Sequence, residues 1–121
     1  MYILDSNILI YSAQKEYDYL QTYVSDANNA ISYITYLEVL GFHNFDKITK
    51  QYFENLLPLL NHVPIEFDLI QSAVKLRQER KMSLGDSIIA ASALKYELPI
   101  CTRNTSDFIK IKGIKVFNPM Q

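Results

Sequence analysis

Four carboxylates stand where this chain could do chemistry: Asp5, Glu38, Asp86 and Asp107. Asp5 ends an apolar run too short for a helix, and Ser6-Asn7 and a second apolar stretch follow it. The pattern predicts a buried strand over Tyr2–Leu4 that breaks at Asp5 into a helix starting near Ser6. In open parallel α/β sheets, ligands bind beyond the carboxyl ends of the strands, the position Asp5 would take. Glu38, Asp86 and Asp107 fall in comparable places. Carboxylates gathered at one sheet edge repel unless a cation sits between them. An all-oxygen donor set suits Mg²⁺ or Mn²⁺. His43 and His62 are not paired at zinc spacing and Cys101 is the only thiol, which argues against zinc.

Helix capping competes with that reading. Thr35 with Glu38 and Ser83 with Asp86 both match the capping-box pattern, a hydroxyl followed three residues later by an acid. Asn104 with Asp107 has the same shape, and Asp5 could itself cap the first helix. For each acid alone, capping is the better account. For the four together, each expected to open a helix at one sheet edge, a shared metal site is favoured.

The elements that must position these acids alternate. Strands are predicted at Tyr2–Leu4, Ala30–Tyr33, His62–Ile65, Pro99–Cys101 and Ile114–Phe117, the third at a sheet edge because it carries Pro64. Helices are predicted from Ser6, then at Tyr17–Ala27, Thr35–Phe42, Asp46–Leu57, Asp68–Arg80, Leu84–Tyr96 and Thr105–Lys110. The Leu84–Tyr96 segment is the most apolar and is expected to be buried on most sides. Alternation of this kind predicts right-handed crossovers in a three-layer α/β/α fold around a parallel sheet of four to five strands. At 121 residues the chain is expected to be a single domain, 1–121.

Bulk charge says little about partners: the formal net charge is −1, so attraction to phosphate must be local or metal-mediated. One cysteine cannot make an internal disulfide and fits a reducing compartment. Asp5 interrupts the first apolar run and no basic stretch precedes it, so no secretion signal is expected. No apolar segment approaches the roughly 18 residues that span a bilayer. The expected location is cytoplasmic, without membrane contact.

The strings Leu4-Asp5-Ser6-Asn7, Ile34-Thr35-Tyr36-Leu37-Glu38, Leu84-Gly85-Asp86-Ser87-Ile88-Ile89-Ala90-Ala91 and Thr102-Arg103-Asn104-Thr105-Ser106-Asp107-Phe108 resemble, in order, the motifs of PIN-domain ribonucleases. The chain is most similar to the compact VapC-type toxins of toxin–antitoxin pairs. Gly85, where that family often has proline or another residue, and Ser87, where alanine is frequent, are small departures that remove no carboxylate. The resemblance implies a PIN-like fold and Mg²⁺- or Mn²⁺-dependent endonucleolytic cleavage of RNA. It implies Asp5 and Asp86 as principal metal ligands, with Glu38 and Asp107 acting directly or through water. Ser6 and Thr102 would then support the ligands with hydroxyls, and Asn104 would position Asp107 or the phosphate. It further implies a homodimer and a cognate antitoxin that places a basic side chain against the carboxylates. The substrate could be a structured RNA such as tRNA or rRNA.

For substrate contact, Arg77, Arg80 and Lys81 form a basic cluster before the Asp86 helix, and Arg103 lies beside the Asp107 motif. Lys75 and Lys81 read better as an ordinary solvated helix face. The tyrosines at 11, 17, 19, 23, 33 and 36 suit a partner interface, base stacking or a half-buried core equally well. Among rivals, a non-catalytic PIN-like module that binds RNA or protein stays open. A phosphatase with Asp5 as nucleophile is disfavoured, because by family resemblance it would carry a second aspartate where Asn7 stands. A dinucleotide-binding domain fails for want of a glycine-rich loop after the first strand.

Overall fold

The computed structural model describes residues 1–120. Strand β1 (Ile3–Leu4) leads into helix α1 (Ser6–Ser12), a 3₁₀ stretch at Lys15–Leu20 and the short α2 (Gln21–Val24). Next come β2 (Ala30–Ser32), α3 (Tyr33–Leu40), α4 (Lys47–Leu56) and β3 (Asn61–Val63). The chain closes with α5 (Phe67–Glu79), α6 (Leu84–Tyr96), β4 (Ile100–Cys101), a 3₁₀ turn at Thr105–Asp107 and β5 (Val116–Phe117).

All four strand pairings are parallel, in the order β3-β2-β1-β4-β5, so the expected five-strand sheet is present with the proline-bounded strand at its edge. Successive strand residues alternate between two cores. Ile3, Ala30 and Ile100 face the layer of α5 and α6, while Leu4, Ile31 and Cys101 face the layer of α1 to α4. Seven consecutive residues of α6, Ser87 to Ala93, are buried, as its all-round apolar character predicts. The buried hydroxyls of Ser87 and Ser92 on this helix donate to the carbonyls of Leu84 (2.7 Å) and Ile88 (2.7 Å) and so enter the core satisfied. No helix of the described residues is long and apolar enough to cross a membrane.

Two local expectations are corrected. The single helix expected over Tyr17–Ala27 is instead a kinked 3₁₀ stretch followed by four α-helical residues. Tyr17 has non-helical backbone angles, and Asp26 Oδ1 accepts from the Asn28 N–H (2.9 Å), drawing the chain into a turn before Ala27 can continue the helix. Helix α3 begins at Tyr33 rather than Thr35, because Ser32, the last residue of β2, caps it by accepting from the Ile34 N–H at 3.1 Å.

The tyrosines divide by place. Tyr2 and Tyr23 pack with Phe117 against the α1–α4 core, whereas Tyr33 and Tyr36 lie edge-on to His62 at the surface.

Candidate metal centre at the sheet edge

The order of the strands makes a crevice. From β1 the chain moves outward through β2 to β3, then returns to place β4 on the other side of β1. The switch point of the sheet therefore lies between β1 and β4, where α/β folds open a crevice at their carboxyl ends. Asp5 follows β1 and Thr102 follows β4.

Asp5 is held at this rim from several sides. Its backbone N–H stays in the sheet, donating to Cys101 O at 2.9 Å. As cap of α1, its Oδ1 accepts from the Ser6 N–H (2.8 Å). Its Oδ2 accepts from the Thr102 hydroxyl (2.9 Å) and the Asn7 amide (3.4 Å). The residue is only 6% exposed. Burial pushes its pKa up, the hydrogen bonds from Thr102 and Ser6 oppose that, and the charge of Asp107 adds to the rise.

Asp86 lies in the first turn of α6, where the Ser83 hydroxyl caps the helix by accepting from the Asp86 N–H at 3.1 Å. Its pKa is raised by burial and by the charges of Asp5 and Asp107. Glu38 does not open a helix as expected: with Ser32 as cap it lies more than a turn inside α3, so its place is not explained by capping. It is open to solvent on one side, yet the packing under its carboxyl raises its pKa, helped by the charges of Asp5 and Asp86. Gly85 backs directly onto it, and a Cβ there would stand 3.0 Å from Glu38 Oε2. Asp107 closes the 3₁₀ turn, exposed, and its charge is felt at both Asp5 and Asp86.

The four acids thus share one electrostatic neighbourhood centred on Asp5. Among the described residues, the ion pairs are those of Arg80 with Glu79 and of Lys95 with Glu66 and Asp68, and none reaches the four acids. The side chains are not drawn into a tight cage: among the described residues no three acids, histidines or cysteines form a coordination cluster by themselves. The donor set nonetheless fits a hard divalent cation. It is all oxygen, it includes a buried carboxylate, and its members raise one another's pKa values in the absence of a cation. One turn before Glu38, the buried Thr35 hydroxyl has no hydrogen-bond partner among the described residues.

The family model for the PIN domain matches residues 2–114. The chain belongs to the PIN domain family. Among solved structures, this PIN domain superposes with a TM-score of 0.79 on a toxin–antitoxin complex chain from Klebsiella pneumoniae, 35% identical, covering 100% of this chain and 99% of that one. It also superposes on VapBC2 from Rickettsia felis bound to a promoter DNA fragment (TM-score 0.77, 20% identity, 97% of each chain). DNA-bound VapBC from Salmonella typhimurium gives a TM-score of 0.79 at 19% identity over 96% of each chain. The last two establish fold alone. A comparison with curated protein sequences gives no significant match.

Around the acids, the PIN domain distributes the remaining candidates unevenly. Thr102, fully buried, donates to Asp5 and accepts from the N–H of Asn104 (3.0 Å). Ser6 and Asn104 thus enter through backbone N–H groups, and the Asn104 side chain makes no capping bond. Arg103 lies over the Tyr11 ring, 4.9 Å from its centroid, with its guanidinium hydrogen-bonded to the Tyr11 hydroxyl. Arg77 Nε donates to Met82 O at 3.1 Å, and Arg77 and Arg80 line a cleft of about 520 Å³ between α5 and α6 that contains none of the four acids. Asn7 was not foreseen in this network. Its amide also donates to Thr102 Oγ1 (3.3 Å) and its carbonyl accepts from the Arg103 N–H (3.2 Å), tying the end of β1 to the end of β4. The one signal for it was its place in the Asp5-Ser6-Asn7 string.

Proposed function

We propose that this chain is a divalent-metal-dependent endoribonuclease and the toxin of a toxin–antitoxin pair. The observation that carries the reading is the gathering of Asp5, Glu38, Asp86 and Asp107 at the sheet's switch point without a cationic partner. Asp5 and Asp86 would hold Mg²⁺ or Mn²⁺, with Glu38 and Asp107 completing the set directly or through water. A bound ion of this kind lowers the pKa of water and stabilises the leaving oxygen of an in-line displacement. Thr102 and Asn7 orient Asp5 so that its rotamer is fixed before any ligand arrives. Glu38, solvent-facing on one side and with a raised pKa, is the group suited to take a proton from the attacking water on its carboxylate.

The toxin–antitoxin neighbours support an antitoxin partner, whose basic side chain would neutralise the acids, and a cytoplasmic location is part of the same reading. A homodimer belongs to the same proposal. Phe67, Val74 and Leu84 are large apolar side chains left exposed on α5 and α6. Sedimentation of the purified protein should give twice the mass of one chain, and a monomer would remove the homodimer from the proposal.

The deciding experiment is cleavage of total cellular RNA by the purified protein with EDTA, Mg²⁺ or Mn²⁺, beside Asp86→Asn. The expected result is discrete fragments that require both metal and Asp86. Failure to cleave in every condition would replace the nuclease by a non-catalytic binding module.

A further inference from the structure

A second cleft, of about 220 Å³, opens directly against the acids and is lined by Arg80, Lys81, Asp86, Ser106, Asp107 and Lys110. Two local features build it. Arg80 ends α5 in an extended backbone conformation, which turns Lys81 and Met82 across towards the start of α6 and Asp86. Lys110 comes from the turn after Asp107 and lines the same cleft. Formal charge in the cleft is therefore three cations against two acids.

These opposite charges do not pair. No Lys or Arg nitrogen lies within 4.0 Å of Asp86 or Asp107 among the described residues, and Arg80 reaches only its neighbour Glu79, at 3.4 Å. The Arg80 Nε is buried without an acceptor, an arrangement that costs free energy unless an oxygen from elsewhere satisfies it. Side chains as long as lysine could fold back onto the acids, and here they remain apart along the cleft walls. The neighbouring carboxylates Asp5 and Glu38 repel an anion, whereas this approach offsets that field and offers guanidinium and ammonium donors suited to phosphate oxygens.

We propose that Arg80, Lys81 and Lys110 form a phosphate-binding cleft that seats the RNA backbone beside Asp86 and Asp107. The inference rests on the nuclease reading and deepens it by giving the side from which the strand enters. It also reassigns Lys81 from a solvated face to substrate contact and adds Lys110, which charge along the sequence did not single out.

The test is fluorescence anisotropy of a labelled single-stranded RNA oligonucleotide in EDTA, which prevents cleavage, over a range of KCl concentrations. Wild type is compared with Lys81→Ala/Lys110→Ala and with Lys47→Ala/Lys50→Ala, which removes the same charge from the exposed side of α4. Two lost phosphate contacts should weaken binding by about tenfold at low salt and reduce the slope of log K against log salt by about 1.4. The α4 variant should bind as wild type does. Calorimetric Mn²⁺ binding should be unchanged in the cleft variant, and its loss of RNA cleavage should fall on KM. Wild-type affinity in the cleft variant, an equal loss in the α4 variant, or no RNA binding by wild type would each overturn the proposal. An intact wild-type nuclease with an unaffected cleft variant would sink this inference alone, while RNA binding without cleavage would sink the nuclease reading alone.

Discussion

At the scale of single residues, Asp5 is governed by a contest between burial and hydrogen bonding. Burial favours its neutral form, while the Thr102 hydroxyl and Ser6 N–H favour the carboxylate. Thr102→Val keeps the shape but leaves Asp5 Oδ2, the Asn7 amide and the Asn104 N–H short of a partner. The expected loss is about 1–3 kcal/mol of stability by denaturant unfolding, whereas Thr102→Ser should recover most of it. Asp5→Asn should fold and yet abolish metal-dependent cleavage; unchanged turnover of the purified variant would remove Asp5 from the site. The pH dependence follows from the same groups. Asp5, Glu38 and Asp86 all have pKa values raised above their ordinary 3.8, 4.5 and 3.8. Such groups keep protons longer folded than unfolded, so the metal-free fold loses their contribution as pH rises from those ordinary values through the raised ones. Melting temperature without metal should therefore decline across that window, and added Mn²⁺ should restore it increasingly at the upper end. Equal stabilisation by Mn²⁺ at every pH would argue against ion binding at these carboxyls.

Helix starts decide the geometry at the next scale. Ser83 caps α6 and so sets where Asp86 projects; Ser83→Ala should cost about 0.5–2 kcal/mol in thermal unfolding. Gly85, one residue before Asp86, is where α6 and α3 meet through the Glu38 carboxylate. Alanine there gains helix propensity, by up to about 1 kcal/mol, but its Cβ would stand 3.0 Å from Glu38 Oε2 and push that flexible end aside. Gly85→Ala should thus leave the melting temperature level or slightly higher while weakening Mn²⁺ binding by calorimetry. A variant that binds Mn²⁺ as wild type does would show that Glu38 has no part in holding the ion.

For the whole molecule, the sheet carries the site because its switch point lies between the two central strands, whose flanks are closed by both cores. Cys101 reports on that closure. It sits one residue before Thr102, fully buried, and burial with the nearby Asp5 charge pushes its thiol up to about 12. Alkylation by iodoacetamide at mildly alkaline pH should therefore require opening of the central sheet, and its rate should track global unfolding across denaturant. Rapid labelling of the native protein would mean that β1 and β4 separate locally.

Much of this was legible without coordinates. Strand and helix alternation, the edge position of the Pro64 segment, the all-round burial of α6 and the rim position of Asp5 are local patterns, set by which side chains recur along a few turns or pleats. The early end of the helical segment before Ala27, the earlier start of α3 and the interior place of Glu38 were not legible, because side-chain hydrogen bonds at Asp26 and Ser32 competed with propensity. Nor could the sequence show that Arg103 lies on Tyr11, that Asn7 bridges to Thr102, or that Lys110 shares a cleft with Lys81. The chain order determined which residues end strands and open helices. Only the parallel pairing of β1 with β4, across nearly the whole chain, decided which of those ends share a crevice. Contacts at that separation are chosen by how both cores pack at once, and no local pattern records them.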